Sequence, residues 1–372
     1  MKKKKVVFTG GHHTSAVAVI DELKKSQGLA DKVQIYFIGH RYSMHQEEIR
    51  SAEYCEIRGR GIPFYNLHAG KLYKTVNLWE WLKVPYGFVQ ALCILLRLRP
   101  SLIFSFGGYL AAPVVFAGWV LGIPSVTHEQ TVVAGWANKF AARFAEKIFI
   151  SWPQSGKFFP RKKVTFTGLP LREEIVALAQ SSAWKSSPRE DPVLYITGGK
   201  QGSQVINQTV ANCLEDLLSQ FFIYHQTGFL DFAEFKKRAE KLPPGLEGRY
   251  MVSDYYSEKE VAEIYKKAMV VVGRAGAHTT YELAALGKPA VLVPIPWASH
   301  NEQEKNARLL EQVGLARVLP QDKLNKERLL QLCLKQASLD EARLKEIRDN
   351  SRKLVRLDAA QKIVDELREY LG

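Results

Sequence analysis

The stretch "VVVGRAGAHTTYELAALGKPAVLVP", residues 270–294, indicates the fold class of this chain. It begins with an apolar run, turns at Gly273-Arg274-Ala275-Gly276, and continues as a helix-like segment that carries Thr279 and Glu282. A second apolar run follows Gly287-Lys288-Pro289. Strand, glycine turn, helix and buried strand in this order are typical of an α/β protein with a parallel sheet.

The same alternation extends along both halves of the chain and predicts two Rossmann-like lobes. The predicted strands are Val6–Phe8, Val33–Ile38, Leu102–Phe106, Ser125–Thr127, Ile148–Ile150, Val164–Phe166, Val193–Thr197, Phe222–His225, Tyr250–Val252, Met269–Val272 and Ala290–Val293. The segment "QSSAWKSSPREDP" is predicted to be a linker, because it is polar and bears serine and proline. Thr-Gly-Gly ends an early strand in each half, and ligands of such folds bind at the carboxyl ends of the strands. We therefore expect the binding site in a cleft between the lobes.

The composition is that of a globular protein and argues against a zinc-binding or disulfide-stabilised protein. The chain has 372 residues, 46% of them hydrophobic, which suits two domains. Its four cysteines are far apart and form no CxxC pair, which argues against structural zinc or a disulfide framework and suits a reducing compartment. The basic start "MKKKKVVFTGG" is not typical of a signal peptide, because its apolar run stops after three residues.

The positive charge is concentrated in the first half. Residues 1–168 hold 23 Lys and Arg against 10 Asp and Glu, whereas residues 169–372 hold 29 against 28. A basic half suits nucleic acid, an anionic membrane surface or an anionic substrate, and it also suits plain solubility.

The most apolar segment is "LWEWLKVPYGFVQALCILLRLRP", residues 78–100. Pro85 is predicted to open a helix of about fourteen residues, too short for the roughly twenty that span a bilayer. This helix is either a core helix or an apolar face at a membrane interface. Aromatic residues beside lysines favour the interface; they are Trp79, Trp81, Tyr86 and Phe88, with Lys71, Lys74 and Lys83.

In the first half, glycines and titratable residues follow three predicted strands. Gly10 and Gly11 precede a helix whose N-terminus suits an anion, and His12 could exchange a proton there or simply begin the helix. Gly107 and Gly108 form a second backbone cradle followed by Tyr109, and His128-Glu129-Gln130 ends another strand.

In the second half, "TGGKQGSQVINQTV" resembles a phosphate loop but matches neither of the two common nucleotide motifs. Lys200 in this loop could neutralise a phosphate. Thr279 and Glu282 share a helix face, either as a capping box or as ligands of a diphosphate and a ribose. Arg274 would then add charge where a diphosphate leaves.

A third polar group follows the next strand, in "PWASHNEQEKNARLLEQVG". Glu302, Gln303 and Asn306 could reach the hydroxyls of a sugar, or they could form a solvated helix start.

Taken together, these stretches resemble the MurG family of GT-B glycosyltransferases, which transfer N-acetylglucosamine (GlcNAc) from UDP-GlcNAc to lipid I in peptidoglycan synthesis. The resemblance covers nearly the whole chain. It is carried, in order, by "GGH", "GGY", "GIPSVTHEQTVVAGWANK", "TGLPLR", "GGKQGS", "INQT", "RAGAHTTYELAALGKPAVLVP" and "NEQEKNA".

The resemblance implies an α/β GT-B fold with two lobes facing across a cleft. Residues 1–168 with 352–372 would form the acceptor and membrane-associating lobe, and residues 169–351 the donor lobe. The implied reaction is metal-independent transfer with inversion to the 4-hydroxyl of the MurNAc of lipid I, which gives lipid II. No cofactor is implied.

The resemblance also implies site residues. The candidate bases are His12 and Glu129, and the implied acceptor-binding residues are Gly10, Gly11, Gly107, Gly108, Tyr109 and Asn138. The implied UDP-GlcNAc-binding residues are Arg172, Gly199, Lys200, Gln201, Gly202, Arg274, Gly276, Thr279, Glu282, Gln303 and Asn306.

The implied partners are the UDP-GlcNAc donor, the lipid I acceptor, an anionic membrane surface bound through the basic lobe, and a cell-wall synthesis complex. The implied location is the cytoplasmic face of the cell membrane, as a peripheral protein. No nucleic acid is implied.

Three loops depart from the family pattern. Phe8-Thr9 stand where the family has a richer glycine loop, Thr131 replaces an asparagine, and Lys200 replaces a serine. The first two leave the details of the acceptor open. The third suggests that Lys200 supplies charge to the diphosphate.

Two alternatives remain at this point. One is another enzyme of the same fold, either a UDP-GlcNAc epimerase or a transferase to a different lipid. The other is a non-catalytic binding protein for nucleic acid or a nucleotide sugar; against nucleic acid, the aromatics cluster with apolar residues instead of alternating with Arg and Lys.

Overall fold

The structure of the chain, a computed structural model, describes residues 3–43, 46–70, 78–181 and 192–372, with backbone only for the described parts of 43–49 and for 78–83. The chain divides into two compact units. The N-terminal unit comprises Met1–Leu171 and Asp358–Gly372, and the C-terminal unit comprises Arg172–Leu357. Residues 182–191 of the predicted linker, which spans residues 180–192, lie outside the described residues.

The N-terminal unit is built on a seven-stranded parallel sheet in the order β5-β2-β1-β6-β7-β8-β9. Its strands are β1 (Lys4–Thr9), β2 (Val33–Gly39), β5 (Phe64–Asn66), β6 (Leu102–Ser105), β7 (Ser125–Glu129), β8 (Lys147–Ile150) and β9 (Val164–Phe166). A separate antiparallel hairpin consists of β3 (Tyr42–Ser43) and β4 (Gln46–Arg50).

Helices cover both faces of this sheet. They are α1 (His13–Lys25), α2 (Ala52–Gly59), α3 (Leu78–Leu98), α4 (Ala111–Val120), α5 (Trp136–Phe144) and the last helix of the chain, α15 (Ala359–Leu371), with 3-10 turns at Pro153–Phe158 and Arg161–Lys163. The alternation along β1 explains the two layers: Val6 and Phe8 pack in the core with α1 and α15, and Val7 packs in the core with α3 and α4.

The C-terminal unit repeats this plan with a six-stranded parallel sheet in the order β12-β11-β10-β13-β14-β15. Its strands are β10 (Val193–Thr197), β11 (Phe222–Gln226), β12 (Tyr250–Ser253), β13 (Val270–Gly273), β14 (Ala290–Leu292) and β15 (Ala316–Val318). Its helices are α6 (Glu173–Gln180), α7 (Gln204–Ala211), α8 (Leu214–Leu218), α9 (Phe229–Ala239), α10 (Glu258–Lys267), α11 (Ala277–Leu286), α12 (Glu302–Gln312), α13 (Lys326–Ala337) and α14 (Glu341–Arg352), with 3-10 turns at Ser299–Asn301 and Gln321–Lys323.

The prediction of two lobes with parallel sheets is confirmed. Every apolar run predicted to be a strand coincides with one in the structure, whereas β5, β15 and the hairpin were not predicted. β5 and β15 have three residues each, and their sequences carry too few apolar residues to stand out.

The prediction that Pro85 opens a helix is wrong. α3 begins at Leu78, runs for 21 residues and contains Pro85 in its interior. Proline removes one backbone hydrogen bond there, but the apolar face of α3 packs on α4 and compensates for that loss. Among the described residues, no helix is both long and apolar enough to cross a membrane.

Candidate functional site

Two glycine loops meet at the carboxyl ends of β1 and β6 in the N-terminal unit. Gly10 has φ +123, and a Cβ there would lie 2.6 Å from the carbonyl oxygen of Gly107. The backbone amide of Gly11 donates to that same oxygen at 3.1 Å. A side chain at residue 10 would therefore separate the loops, and the predicted acceptor glycines Gly10, Gly11, Gly107 and Gly108 lie together.

The carboxylate of Glu129, at the end of β7, is enclosed by donors from the following loop and from α5. Its Oε1 accepts from the amide of Thr131 at 3.1 Å and lies 2.9 Å from the Thr131 hydroxyl. Its Oε2 accepts from Asn138 Nδ2 at 2.9 Å and from the amide of Gly135 at 3.3 Å. Burial raises the pKa of Glu129, and the hydrogen bonds from Asn138 and Thr131 oppose that shift.

Asn138 connects this loop to the glycine loops. Its side chain also donates to the carbonyl of His128 at 3.2 Å and accepts from the Thr127 hydroxyl at 3.3 Å. A Cβ at Gly107, which has φ +72, would lie 2.7 Å from Asn138 Nδ2. The amide of Asn138 is thus occupied by protein groups, and its contacts hold the strand ends together.

His12 has a different environment. It is the N-cap residue of α1, makes no capping hydrogen bond through its side chain, and is exposed. Desolvation by the surrounding protein and the neighbouring His13 lower the pKa of His12, and the exposure of its side chain to solvent limits that desolvation. Its imidazole is neutral at pH 7, as it would also be at the ordinary pKa of about 6.5, so a ring nitrogen can accept a proton.

The other predicted residues at this edge of the sheet are less exposed than His12. His128 is fully buried, and its Nε2 lies 2.9 Å from the carbonyl of Gly168. The side chain of Gln130 is 1% exposed, and neither of its amide atoms has a hydrogen-bond partner among the described residues. Tyr109 is half-buried and packs against the core cluster shared by α3 and α4.

In the C-terminal unit, the predicted phosphate loop lies at the end of β10. The amide of Gly199 donates to the Thr197 hydroxyl at 3.0 Å, and Gln226 Nε2 donates to the carbonyl of Gly199 at 2.8 Å. Gly202 has φ +75, and a Cβ there would lie 1.9 Å from the carbonyl oxygen of Thr227. Only glycine fits at residue 202, so this loop is held against the end of β11.

Within this loop, Lys200 and Gln201 are exposed at the carboxyl edge of the sheet. Lys200 also makes an electrostatic or hydrogen-bonding contact with the protein.

Arg274, in the turn after β13, connects this turn to three neighbouring segments. Its guanidinium and Nε donate to Ser203 Oγ at 3.1 Å, to the carbonyl of Val293 at 3.0 Å and to Gln321 Oε1 at 2.8 Å. Its side chain thus joins the loops that follow three strands. Desolvation lowers the pKa of Arg274, and among the described residues its hydrogen-bond acceptors are all neutral. The arginine remains a buried cation that no carboxylate of the described residues balances.

The start of α11 lies beside this cation. Its N-cap residue is Gly276, and no side chain caps the helix. The alternative interpretation of Thr279 and Glu282 as a capping box is therefore wrong, because Thr279 lies inside the first turn. The N-terminal backbone amides of α11, which no side chain caps, and Arg274 together favour an anion. A capping box that the sequence did not suggest occurs at the start of α10, between Ser257 and Glu260.

Glu282 faces Arg172, the N-cap residue of α6, and Tyr265 of α10. Its Oε1 lies 3.3 Å from Arg172 Nη2, and its Oε2 accepts from the Tyr265 hydroxyl at 3.2 Å. Arg172 Nη1 also lies 3.5 Å from Glu258 Oε1. Burial disfavours the charge of Arg172, but Glu282 and Glu258 outweigh it and raise the pKa of Arg172.

Two predicted residues of α12 also connect to this edge of the sheet. Gln303 Oε1 accepts from the amide of Ile295 at 3.1 Å, and Asn306 Nδ2 donates to the carbonyl of Ala275 at 3.2 Å. Asn306 is fully buried. The alternative that these residues form only a solvated helix start is wrong for Asn306.

Sequence reasoning missed the residues that support the site from neighbouring strands and helices, namely Ser203, Gln226, Thr227, Tyr265 and Gln321. Gly228, two residues after the end of β11, was the available signal for the Thr227 turn. Among the described residues, no group of three or more His, Cys, Asp or Glu side chains could hold a metal ion.

Helices α3, α4 and α5 form an aromatic surface on the N-terminal unit. Ring contacts run from Phe88 on α3 to Phe116 on α4 at 5.3 Å, and from Phe116 to Phe144 on α5 at 5.2 Å. Exposed large apolar residues on these helices are Tyr86, Val89, Leu96, Trp119, Val120 and Trp136. Of the residues predicted to contact a membrane, Lys71 and Lys74 lie outside the described residues, and so do the side chains of Trp79, Trp81 and Lys83.

Comparison with known proteins matches both units. Residues 6–150 match the N-terminal domain of glycosyltransferase family 28, and residues 193–366 match the C-terminal domain of the same family. A Desulfotalea psychrophila protein named UDP-N-acetylglucosamine–N-acetylmuramyl-(pentapeptide) pyrophosphoryl-undecaprenol N-acetylglucosamine transferase is 33% identical over 380 residues, 100% of this chain and 98% of that protein. A Bacillus cereus protein with this name and the suffix 2 is 34% identical over 338 residues, 88% of this chain and 90% of that protein.

Solved structures share the fold. Acinetobacter baumannii MurG superposes with a TM-score of 0.73 at 24% identity, covering 98% of this chain and 99% of that chain. A Neisseria meningitidis UDP-GlcNAc 2-epimerase bound to UDP-GlcNAc superposes with a TM-score of 0.64 at 14% identity, covering 99% of this chain and 100% of that chain.

Proposed function

The chain belongs to the family of UDP-N-acetylglucosamine–N-acetylmuramyl-(pentapeptide) pyrophosphoryl-undecaprenol N-acetylglucosamine transferases, and from that premise we propose how it works. It is a UDP-GlcNAc-dependent glycosyltransferase that moves GlcNAc to the 4-hydroxyl of the MurNAc of lipid I and so forms lipid II. The identity of 33–34% with relatives of that name spans both units, which supports this reaction over epimerisation.

The observation that carries the donor assignment is the buried cation Arg274 beside the uncapped start of α11. A diphosphate supplies the negative charge that this edge of the sheet lacks. The amides of Gly276 and Thr279 would face the diphosphate, and the carboxylate of Glu282 would accept from the ribose hydroxyls. The exposed Lys200 would add a second positive charge from the neighbouring loop.

We assign the remaining implied donor contacts to the same edge. Gly199, Gln201 and Gly202 would bring the loop backbone against the nucleotide, while Gln303 and Asn306 would hold the loops that contact the sugar.

For the N-terminal unit we propose that His12 is the general base and that Glu129 is a positioning residue. His12 is exposed and neutral at pH 7, whereas both oxygens of Glu129 already accept hydrogen bonds from the protein. The acceptor 4-hydroxyl would lose its proton to His12 as its oxygen bonds to the anomeric carbon. The bond from that carbon to the diphosphate breaks, UDP leaves, and the configuration inverts.

We also propose that the protein binds the cytoplasmic face of an anionic membrane through the aromatic surface of α3, α4 and α5. Trp119 is 55% exposed and Trp136 is 69% exposed. Exposed aromatics on helices that also carry exposed cations, Arg97 on α3 and Arg143 on α5, suit the headgroup level of a bilayer. A cell-wall synthesis complex as a further partner stays a prediction.

The reaction is tested by mass spectrometry of purified protein with UDP-GlcNAc and a short-chain lipid I analogue, in the presence of EDTA. We expect an acceptor heavier by one GlcNAc, and no such product without the acceptor or with UDP-glucose. An unchanged acceptor with an epimerised or hydrolysed donor would replace the proposal with the epimerase alternative.

The membrane proposal is tested by flotation with anionic and zwitterionic vesicles. We expect binding to anionic vesicles that weakens with salt and with Trp119→Ser plus Trp136→Ser. Equal binding by this double variant and the unmodified protein would refute the assigned surface.

A further inference from the structure

We infer that Tyr265 is a positioning residue that orients Glu282 and thereby sets the selectivity of this enzyme for a ribonucleotide donor. The inference rests on the proposed function, because it takes Glu282 to be the group that binds the ribose hydroxyls. It concerns a residue that lies inside an amphipathic helix, outside every glycine loop and motif of the sequence.

Each oxygen of the Glu282 carboxylate contacts a different donor. The Tyr265 hydroxyl donates to Oε2 at 3.2 Å, and the Arg172 guanidinium lies 3.3 Å from Oε1. Each carboxylate oxygen can accept about two hydrogen bonds, so one acceptor site per oxygen remains for a ligand. Two neighbouring hydroxyls of a ribose match two oxygens held in one plane.

Tyr265 is itself firmly held. It is 2% exposed, and its ring meets the ring of Tyr195 edge-on at a centroid distance of 5.6 Å. Burial and the nearby Glu282 raise the pKa of Tyr265 well above its ordinary value, so the hydroxyl keeps its proton and donates. The hydrogen bond to Glu282 is therefore always made from the tyrosine side.

The neighbouring cation cannot replace this hydroxyl. Arg172 also lies 3.5 Å from Glu258, on the same helix as Tyr265. Without the hydroxyl of Tyr265, the contact with Arg172 is the one that still fixes the carboxylate within the described part of the chain, and Oε2 loses its buried donor. A carboxylate held through one oxygen can rotate, and its two oxygens then no longer match two ribose hydroxyls at once.

Loss of the Tyr265 hydroxyl should weaken the discrimination between ribose and 2′-deoxyribose donors, rather than abolish activity in general. A site built to bind a substrate hydroxyl rejects an analogue that lacks it, because the buried polar group is left unpaired. The unmodified protein should prefer UDP-GlcNAc over the 2′-deoxyuridine donor. Removal of the Tyr265 hydroxyl should reduce that preference about tenfold, the low end for one hydrogen bond to a charged group.

The test compares kcat/KM for UDP-GlcNAc and for its 2′-deoxyribose analogue in Tyr265→Phe, with thermal unfolding measured alongside. Tyr250→Phe is the matched control, because this buried hydroxyl lies 2.8 Å from His225 Nδ1 and away from Glu282. We expect Tyr265→Phe to raise the KM for UDP-GlcNAc and to lower the preference ratio, with little change in the KM for the acceptor. Tyr250→Phe should keep the ratio of the unmodified protein.

Glu282→Ala completes the test. If Tyr265 acts through Glu282, adding Tyr265→Phe to Glu282→Ala should leave the ratio unchanged. Tyr265→Phe with an unaltered ratio, in a protein that otherwise prefers the ribonucleotide, would overturn the inference and leave the proposed function standing. An unmodified protein that transfers no GlcNAc would contradict the proposed function, and one that transfers it equally well from both donors would contradict the ribose role of Glu282.

Discussion

Replacing Glu129 with glutamine should destabilise the loop that follows β7, because an amide group accepts hydrogen bonds only through its oxygen, whereas a carboxylate accepts them through both oxygens. In the structure, Oε1 accepts from the amide of Thr131, and Oε2 accepts from Asn138 and from the amide of Gly135. The NH2 group of glutamine would face one of these donor pairs, so at least one charge-assisted hydrogen bond is lost and two donors meet. We expect a local loss of about 2–4 kcal/mol, from about 1.5–3 kcal/mol for one hydrogen bond to a charged group plus an unpaired donor.

Hydrogen exchange at the amides of Thr131 and Gly135 measures this loss directly. A change of 2–4 kcal/mol corresponds to protection that is lower by about 30- to 1,000-fold. The control is His12→Ala, which removes an exposed side chain that makes no capping hydrogen bond. This variant should keep the protection of both amides and lower kcat by about 10²- to 10⁴-fold, as expected for the loss of a general base.

The opposite pattern would refute the reasoning. If Glu129→Gln retained the protection of Thr131 and Gly135 but lost activity, Glu129 would act on the substrate and not on its loop. If His12→Ala kept its activity, the base would have to be another group.

Three further predictions follow from single contacts. Gly202→Ala should abolish the UDP-GlcNAc binding that calorimetry detects, because its Cβ would lie 1.9 Å from the carbonyl oxygen of Thr227. Gly199→Ala should be the milder variant despite its φ of +84, because a Cβ there meets no atom within 4 Å. Equal effects of the two substitutions on binding would contradict this reasoning. Burial lowers the pKa of His225 to about 3, so between that pH and the unfolded pKa of about 6.5 the unfolded state binds a proton that the native state does not. The free energy of unfolding should therefore fall by about 2 kcal/mol from pH 7 to pH 5. Urea unfolding should show a smaller pH dependence for His225→Gln, and an unchanged pH dependence would exclude this histidine as its source. Lys200→Ser should raise the KM for UDP-GlcNAc about three- to tenfold and weaken the salt dependence of donor binding, as for the loss of one exposed charge; unchanged affinity and turnover would show that Lys200 does not serve the diphosphate.

The sequence by itself was sufficient for all strands of the two sheets except β5 and β15, and for the glycine loops at their carboxyl ends. Val193–Thr197 and Val270–Gly273 are short apolar runs closed by glycine turns, and such local patterns predict strands and turns because backbone preferences act over a few residues. Gly10 and Gly202 were likewise evident, since a turn that closes against another backbone tolerates no side chain.

Only the tertiary structure decided what each polar side chain does. Arg172 and Glu282 lie 110 positions apart in sequence but 3.3 Å apart in space, and Tyr265 joins them from a helix whose pattern indicates nothing but a buried face. The enclosure of Glu129 likewise depends on Asn138, from the next helix. These partners are set by strand order and helix packing, so the same Thr-x-x-Glu spacing that suggested a capping box instead places Glu282 between an arginine and a tyrosine.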